Sequence, residues 1–328
     1  MTTVDTPRTE HPARVRRVPD PPRLVDDLDA ALDAGDATLD RLAGRDAADE
    51  RDRFETLLLL YDALLGPVTP PATRARSAAH PAVVAVKRRL EEAWLAELAA
   101  AGPPCAALAD DPAAYLRVLA ARDRLHPVHR WVARSASGPD LVRFLALEGG
   151  PDAGFDDLVA ICQVGLTGAA KGELAANYWD EMGRGDPAQV HRRLHADLAE
   201  AVAMPRLPAA EQPVEGLARA ALGGLLATNR WLLPEMVGAL GLIELQAGPR
   251  CTLVLRGLRR IGAPEPALPF YAVHAEVDPR HGRDWLDHVV TPLVAEDPGW
   301  GPGIVRGACW RQHLDRAFLD AAGRMLVP

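Results

Sequence analysis

Apolar residues recur at helical spacing along most of this chain, and no useful length of it alternates apolar with polar residues as a strand would. Leu24, Leu28 and Leu32 form one stripe. Phe54, Leu57, Leu58, Tyr61 and Leu64 form another. Ala and Leu dominate, β-branched residues are sparse and aromatic residues make up 5%, so propensity also favours helix. Pro- and Gly-rich breaks at 67–71, 102–104, 149–151, 183–187 and 205–213 divide the pattern. Helices are expected over 23–66, 81–101, 112–134, 139–148, 155–182, 188–203, 214–228, 232–246, 251–261 and 304–324, with a further element near 270–292. The expected fold class is all-α, with helices packed around a central core. Residues 1–22 are rich in Pro, Thr and Arg and lack apolar periodicity, so a disordered tail is expected there.

Several function classes fall away on composition. The chain has 328 residues, enough for one large core or two modest domains. A net charge of −8 speaks against nucleic acid, whose phosphates need a basic surface. No charged-then-apolar leader and no apolar run of bilayer length is evident, so no membrane partner and a cytoplasmic location are expected. Cys105, Cys162, Cys251 and Cys309 are widely spaced, with no CxxC pair, and are expected to be reduced thiols. Any metal chemistry is left to His, Asp and Glu.

Those residues cluster at three places. In His274-Ala-Glu-Val-Asp278-Pro-Arg-His281, two imidazoles and a carboxylate recur at intervals of four and three. On a helix that spacing stacks them on one face, and imidazole and carboxylate are the usual ligands of iron or zinc. Pro279 interrupts the pattern; either the helix kinks or bulges there, or a helix begins with Asp278 as N-cap. Glu181 ends a helical stretch, where the macrodipole disfavours a carboxylate, and His191 follows, with His195 one turn later. Glu244 is the lone charge in the apolar run 236–245. It must be metal-bound, protonated or paired, with Arg250 and Arg256 as candidate partners. The bland alternatives are solvated surface charges and, for the whole chain, a helical interaction protein with incidental histidines.

Together, the run Asn177-Tyr-Trp-Asp-Glu181-Met-Gly-Arg-Gly185 followed by His191, the isolated Glu244, and His274-x3-Asp278-x2-His281 resemble the haem-oxygenase-like diiron oxidases over roughly 140–325. The resemblance implies a haem-oxygenase-like helical bundle over 136–328. Residues 23–135 would be an N-terminal helical region, continuous with it or mediating a homodimer. It implies six metal ligands, Glu181, His191, Glu244, His274, Asp278 and His281, with Glu244 bridging. Glu148 is a weaker candidate, and Glu173 and Glu276 are weaker still. It further implies two Fe(II) ions, dioxygen as co-substrate, no haem, a small organic substrate and an external electron donor. N-oxygenation of an amine or amino acid is the first expectation; oxidative C–C cleavage, desaturation or decarboxylation of an acid is the alternative. A mononuclear or non-iron metalloenzyme, or a haem protein, remains open on the same scaffold. Phe155, Tyr178, Trp179, Trp231 and Tyr271 are candidates to line a substrate pocket.

Overall fold

The computed structural model describes residues 23–101, 111–122, 125–149 and 154–327. The tail expected at 1–22 and Cys105 lie outside them. The described residues are helical, without a strand: α1 (Leu24–Ala34), α2 (Asp36–Leu39), α3 (Glu50–Leu65), α4 (Thr73–Ala78), α5 (Pro81–Ala101), α6 (Pro112–Arg122), α7 (Pro127–Arg134), α8 (Gly138–Gly149), α9 (Phe155–Cys162), α10 (Gly168–Glu181), α11 (His191–Ala201), α12 (Val214–Thr228), α13 (Leu233–Arg260), α14 (Pro269–Asp284), α15 (Thr291–Glu296) and α16 (Trp300–Leu326). Short 3-10 turns join several of these, and a π-helical segment, Trp285–Val290, links α14 to α15. No helix among the described residues is long and apolar enough to cross a membrane.

Helix α13 is the axis of the bundle. It packs most extensively on α14 and α16, and also on α7. Its first half is buried almost all round, from Glu235 to Leu242. This explains why the apolar run there lacks a polar stripe. One core takes Leu57 and Leu60 from α3, Leu222 and Leu225 from α12, and Leu240 and Leu242 from α13. A second, around Phe144 and Phe318, lies between α7, α8, α13 and α16. The approach of α13 to α16 depends on glycine. A Cβ on Gly238 would lie 1.8 Å from the Ile304 carbonyl oxygen, inside contact distance of rigid backbone. Gly238→Ala is therefore expected to push these helices apart and cost about 1–3 kcal/mol, read as a lower denaturation midpoint in urea.

Several sequence expectations are corrected here. The helix expected over 155–182 is two, parted at 163–167 where Thr167 is extended (φ −139°, ψ 175°). The stretch 112–134 is likewise two helices, the second starting at Pro127 with His126 as its cap. Conversely, 232–246 and 251–261 are one helix that runs through Pro249. Helix α14 runs through Pro279 in the same way, so Asp278 is not an N-cap. Each interior proline costs about 3 kcal/mol in isolation. The long α13–α14 contact, with Tyr271, Asp278, His281 and Gly282 buried, outweighs that cost.

Candidate metal centre

Four helices bring the six candidate ligands together. Glu181 is the last residue of α10, and His191 the first of α11. Between them the chain reverses through Gly183 (φ 63°), where a Cβ would come within 2.6 Å of the Gln189 backbone. Only glycine suits that turn. It returns His191 Nδ1 to 2.8 Å from Glu181 Oε2, so the acid at the helix end has a partner after all. Glu244 projects from mid-α13, and His274, Asp278 and His281 from successive turns of α14.

Glu181, His191 and His274 form one group, each offering a ligand atom within 4.8 Å of the others. Glu244, Asp278 and His281 form a second by the same measure. All but His274 are buried. Five of the six, all but His281, line one cavity of about 460 Å³. Glu148 lines the same cavity away from both groups, held by Tyr271 Oη (3.2 Å) and facing His129 Nε2 (3.6 Å). Glu173 is only half-buried and Glu276 is exposed; neither joins a ligand group. His195 lines the cavity but lies against Phe270 rather than in a group. Of the pocket aromatics expected from sequence, Phe155 and Tyr271 line the cavity. Trp179 and Trp231 are exposed, and Tyr178 packs on the core.

The electrostatics of the two groups favour a cation between them. Asp278 is pushed up to about 10, by burial and then by the neighbouring charges of Glu244 and Glu181. Three carboxylates this close cannot all ionise unless something positive joins them. Asp278 Oδ2 and His281 Nδ1 are buried without a hydrogen-bond partner, and His191 Nδ1, although 2.8 Å from Glu181 Oε2, is not aligned for a hydrogen bond with it. Buried polar atoms are normally satisfied, so such a concentration fits a metal that they would serve. Burial and then the neighbouring His191 lower His274 to about 4, leaving it a neutral imidazole suited to ligation. Burial opposes charge on His281 as well, but Glu244 and Asp180 prevail and raise it to about 9.

A second layer of contacts was not singled out from sequence. Asn177 Nδ2 donates to Glu244 Oε1 at 2.7 Å, and His281 Nε2 lies 2.9 Å from Asp180 Oδ2. His274 Nδ1 lies 2.6 Å from the Phe270 carbonyl. The i,i+4 spacing of Asn177 and Glu181 was the available signal, since it puts both on one face of α10. Neither candidate partner, Arg250 nor Arg256, pairs with Glu244. Arg250 binds Asp315 and Gln246 instead, and Arg256 is exposed. Arginine enters the cavity elsewhere, because Arg219, Arg250 and Arg311 line it. Arg219 was detectable as the lone charge of the apolar run 216–227.

No curated protein matches the chain. A family model described as iron-containing redox enzyme matches residues 142–316, a span that holds all six ligand candidates. That span is more than half of the chain, and its all-α architecture is that of a haem-oxygenase-like bundle. The chain belongs to the family of iron-containing redox enzymes.

Proposed function

We propose that the protein is a non-haem diiron oxygenase that uses dioxygen to oxidise a small organic substrate. The observation that carries this is the pair of three-ligand groups at one cavity, with more buried carboxylate than the metal-free fold can keep ionised. Glu181, His191 and His274 would hold one iron, and Glu244, Asp278 and His281 the other, with Glu244 as the bridging carboxylate. Bound there, ferrous iron would supply the electrons that activate dioxygen; a donor outside the chain would restore them.

The chain's own residues do the rest. The contact of His281 Nε2 with Asp180 fixes its tautomer and leaves Nδ1 for the metal. The Phe270 carbonyl does the same for His274, leaving Nε2. Asn177 holds one oxygen of Glu244 and so sets the direction of the other. Ile243, Ala247 and Val254 of α13, with Phe155 and Phe270, give the cavity an apolar lining that limits water around the reacting atoms. N-oxygenation of an amine or amino acid is the reaction we favour, with C–C cleavage, desaturation or decarboxylation of an acid as the alternative. We also take 23–135 and 136–328 as one globule, on the strength of the core that α3 shares with α12 and α13.

Anaerobic titration of metal-free protein with ferrous iron tests the reading. The expected endpoint is one ion for each ligand group, two per chain, followed by transient visible absorption when oxygen is admitted. Uptake of a single ion would leave a mononuclear enzyme, and no uptake would refute a metalloenzyme of either kind.

A further inference from the structure

The cavity meets solvent at one charged side chain. Of the described residues that line it, Arg192 alone is exposed, with 53% of its side chain open to water. Arg192 sits in the first turn of α11, directly after His191, where a cation opposes the helix dipole. It leans across to the start of α9 instead. There Nε donates to Asp156 Oδ1 at 2.8 Å, and Nη2 donates to Asp157 Oδ2. Both acids lie in the first turn of α9, where the dipole favours them. Neither has another ion pair among the described residues. Asp156 is buried and lines the cavity beside Arg192. A Cβ on Gly154, the residue before α9, would lie 3.4 Å from Arg192 Nη2, so the guanidinium lies close over the helix start.

These ion pairs join two walls that the rest of the fold holds separately. Helix α9 packs on α10, α12 and α13, whereas α11 packs on α14. Both walls belong to the site, since α11 starts with His191 and α9 gives Phe155 and Leu158 to the lining. An ion pair whose cation is half in water is weak, because solvent screens it and a long side chain must be held still. Rotation of that one side chain parts it without unpacking either helix. The two acids then draw the guanidinium back, so the closed arrangement is restored after each opening.

We propose that Arg192 is the gate of the cavity, latched by Asp156 and Asp157, and that small molecules enter and leave between α9 and α11 when these ion pairs part. The gate goes beyond the diiron reading and does not rest on it, because neither the latch nor the cavity needs iron.

Cys251 lines the cavity and reports on the gate, while Cys162, 0% exposed and outside the lining, reports on general loosening. Full-length protein without added metal is treated with iodoacetamide at fixed pH, and alkylation of each cysteine is followed by peptide mass spectrometry. Arg192→Ala is expected to speed alkylation of Cys251 by about threefold or more, the scale of losing exposed ion pairs, and to leave Cys162 unchanged. Loss of a cation would by itself raise a thiol pKa and slow its reaction, so acceleration reads access. In the parent protein, about 1 M salt should speed Cys251 in the same way by screening the latch, and in Arg192→Ala it should not. If Arg192→Ala speeds Cys162 as well, the fold has loosened as a whole and Asp157→Asn takes its place. That acid is 63% exposed, and removing its charge cuts one anchor, so a smaller acceleration confined to Cys251 is expected. Alkylation of Cys251 that neither substitution nor salt changes means that the cavity is entered elsewhere, and overturns the gate.

Discussion

Glu244→Ala is expected to lower iron content from two ions per chain to one or fewer, and oxygen-dependent turnover by at least about 100-fold. Loss of contacts that merely support ligands already costs about 10–100-fold in metal affinity or activity, and a ligand shared by both ions should cost more. Glu244 belongs to the second group with Asp278 and His281, and its charge reaches Asp278. Removing it relieves crowding with Asp278 but takes a partner from Asn177 and His281, so the stability of the metal-free variant should change little. That combination separates a ligand from a packing residue, whose truncation would lower stability and leave stoichiometry alone. Asn177→Ala provides a graded comparison. It frees the Glu244 oxygen held at 2.7 Å and should weaken iron binding by about 10–100-fold without changing the endpoint. Iron analysis after gel filtration, with denaturation of the metal-free proteins, reads both outcomes. Two tightly held irons in Glu244→Ala would remove Glu244 from the ligand set.

The metal candidates were readable in the sequence because their chemistry is local. The 274–278–281 spacing is a property of one helix face, and an acid alone in the apolar run 236–245 stands out without any tertiary knowledge. The helical class was readable for the same reason, since periodicity is a short-range signal. The arginine end was not. Arg219, Arg250 and Arg311 come from three helices, and only the packing of α12, α13 and α16 brings them around Asp315. Pro249 and Pro279 misled in the other direction. Proline predicts a break from local cost alone, whereas long burial against neighbouring helices keeps both helices continuous. The glutamate–arginine pairing failed because nearness in sequence was the only guide. Helix α13 turns Arg250 toward Asp315 on α16, and Asn177 from α10 takes Glu244.

Metal-free protein is expected to lose stability as pH rises from 6.5 toward 9, and ferrous iron is expected to cancel or reverse that slope. Asp278, pushed up to about 10 by burial and by Glu244 and Glu181, keeps a proton in the fold that the unfolded chain releases near 3.8. Burial opposes the charge on His281, but Glu244 and Asp180 raise it to about 9 from 6.5, so it too holds a proton that the unfolded chain has lost. His274, lowered to about 4, is neutral in the fold; the unfolded chain keeps part of its proton near 6.5, so it opposes the trend slightly there and adds nothing toward 9. The folded state therefore binds more protons than the unfolded state between 6.5 and 9, and stability falls with rising pH. Asp278 alone can contribute up to about 1.4 kcal/mol per pH unit, and His281 acts in the same sense. Iron takes the place of those protons and binds the deprotonated ligands better as pH rises. At free metal about 1,000-fold above its dissociation constant, the stabilisation reaches about 4 kcal/mol. Anaerobic denaturant unfolding at both ends of the window, with and without ferrous iron, measures the two slopes. Parallel slopes would mean that metal and protons do not compete for the same carboxylates and imidazoles, and the metal would have to bind away from Asp278 and His281.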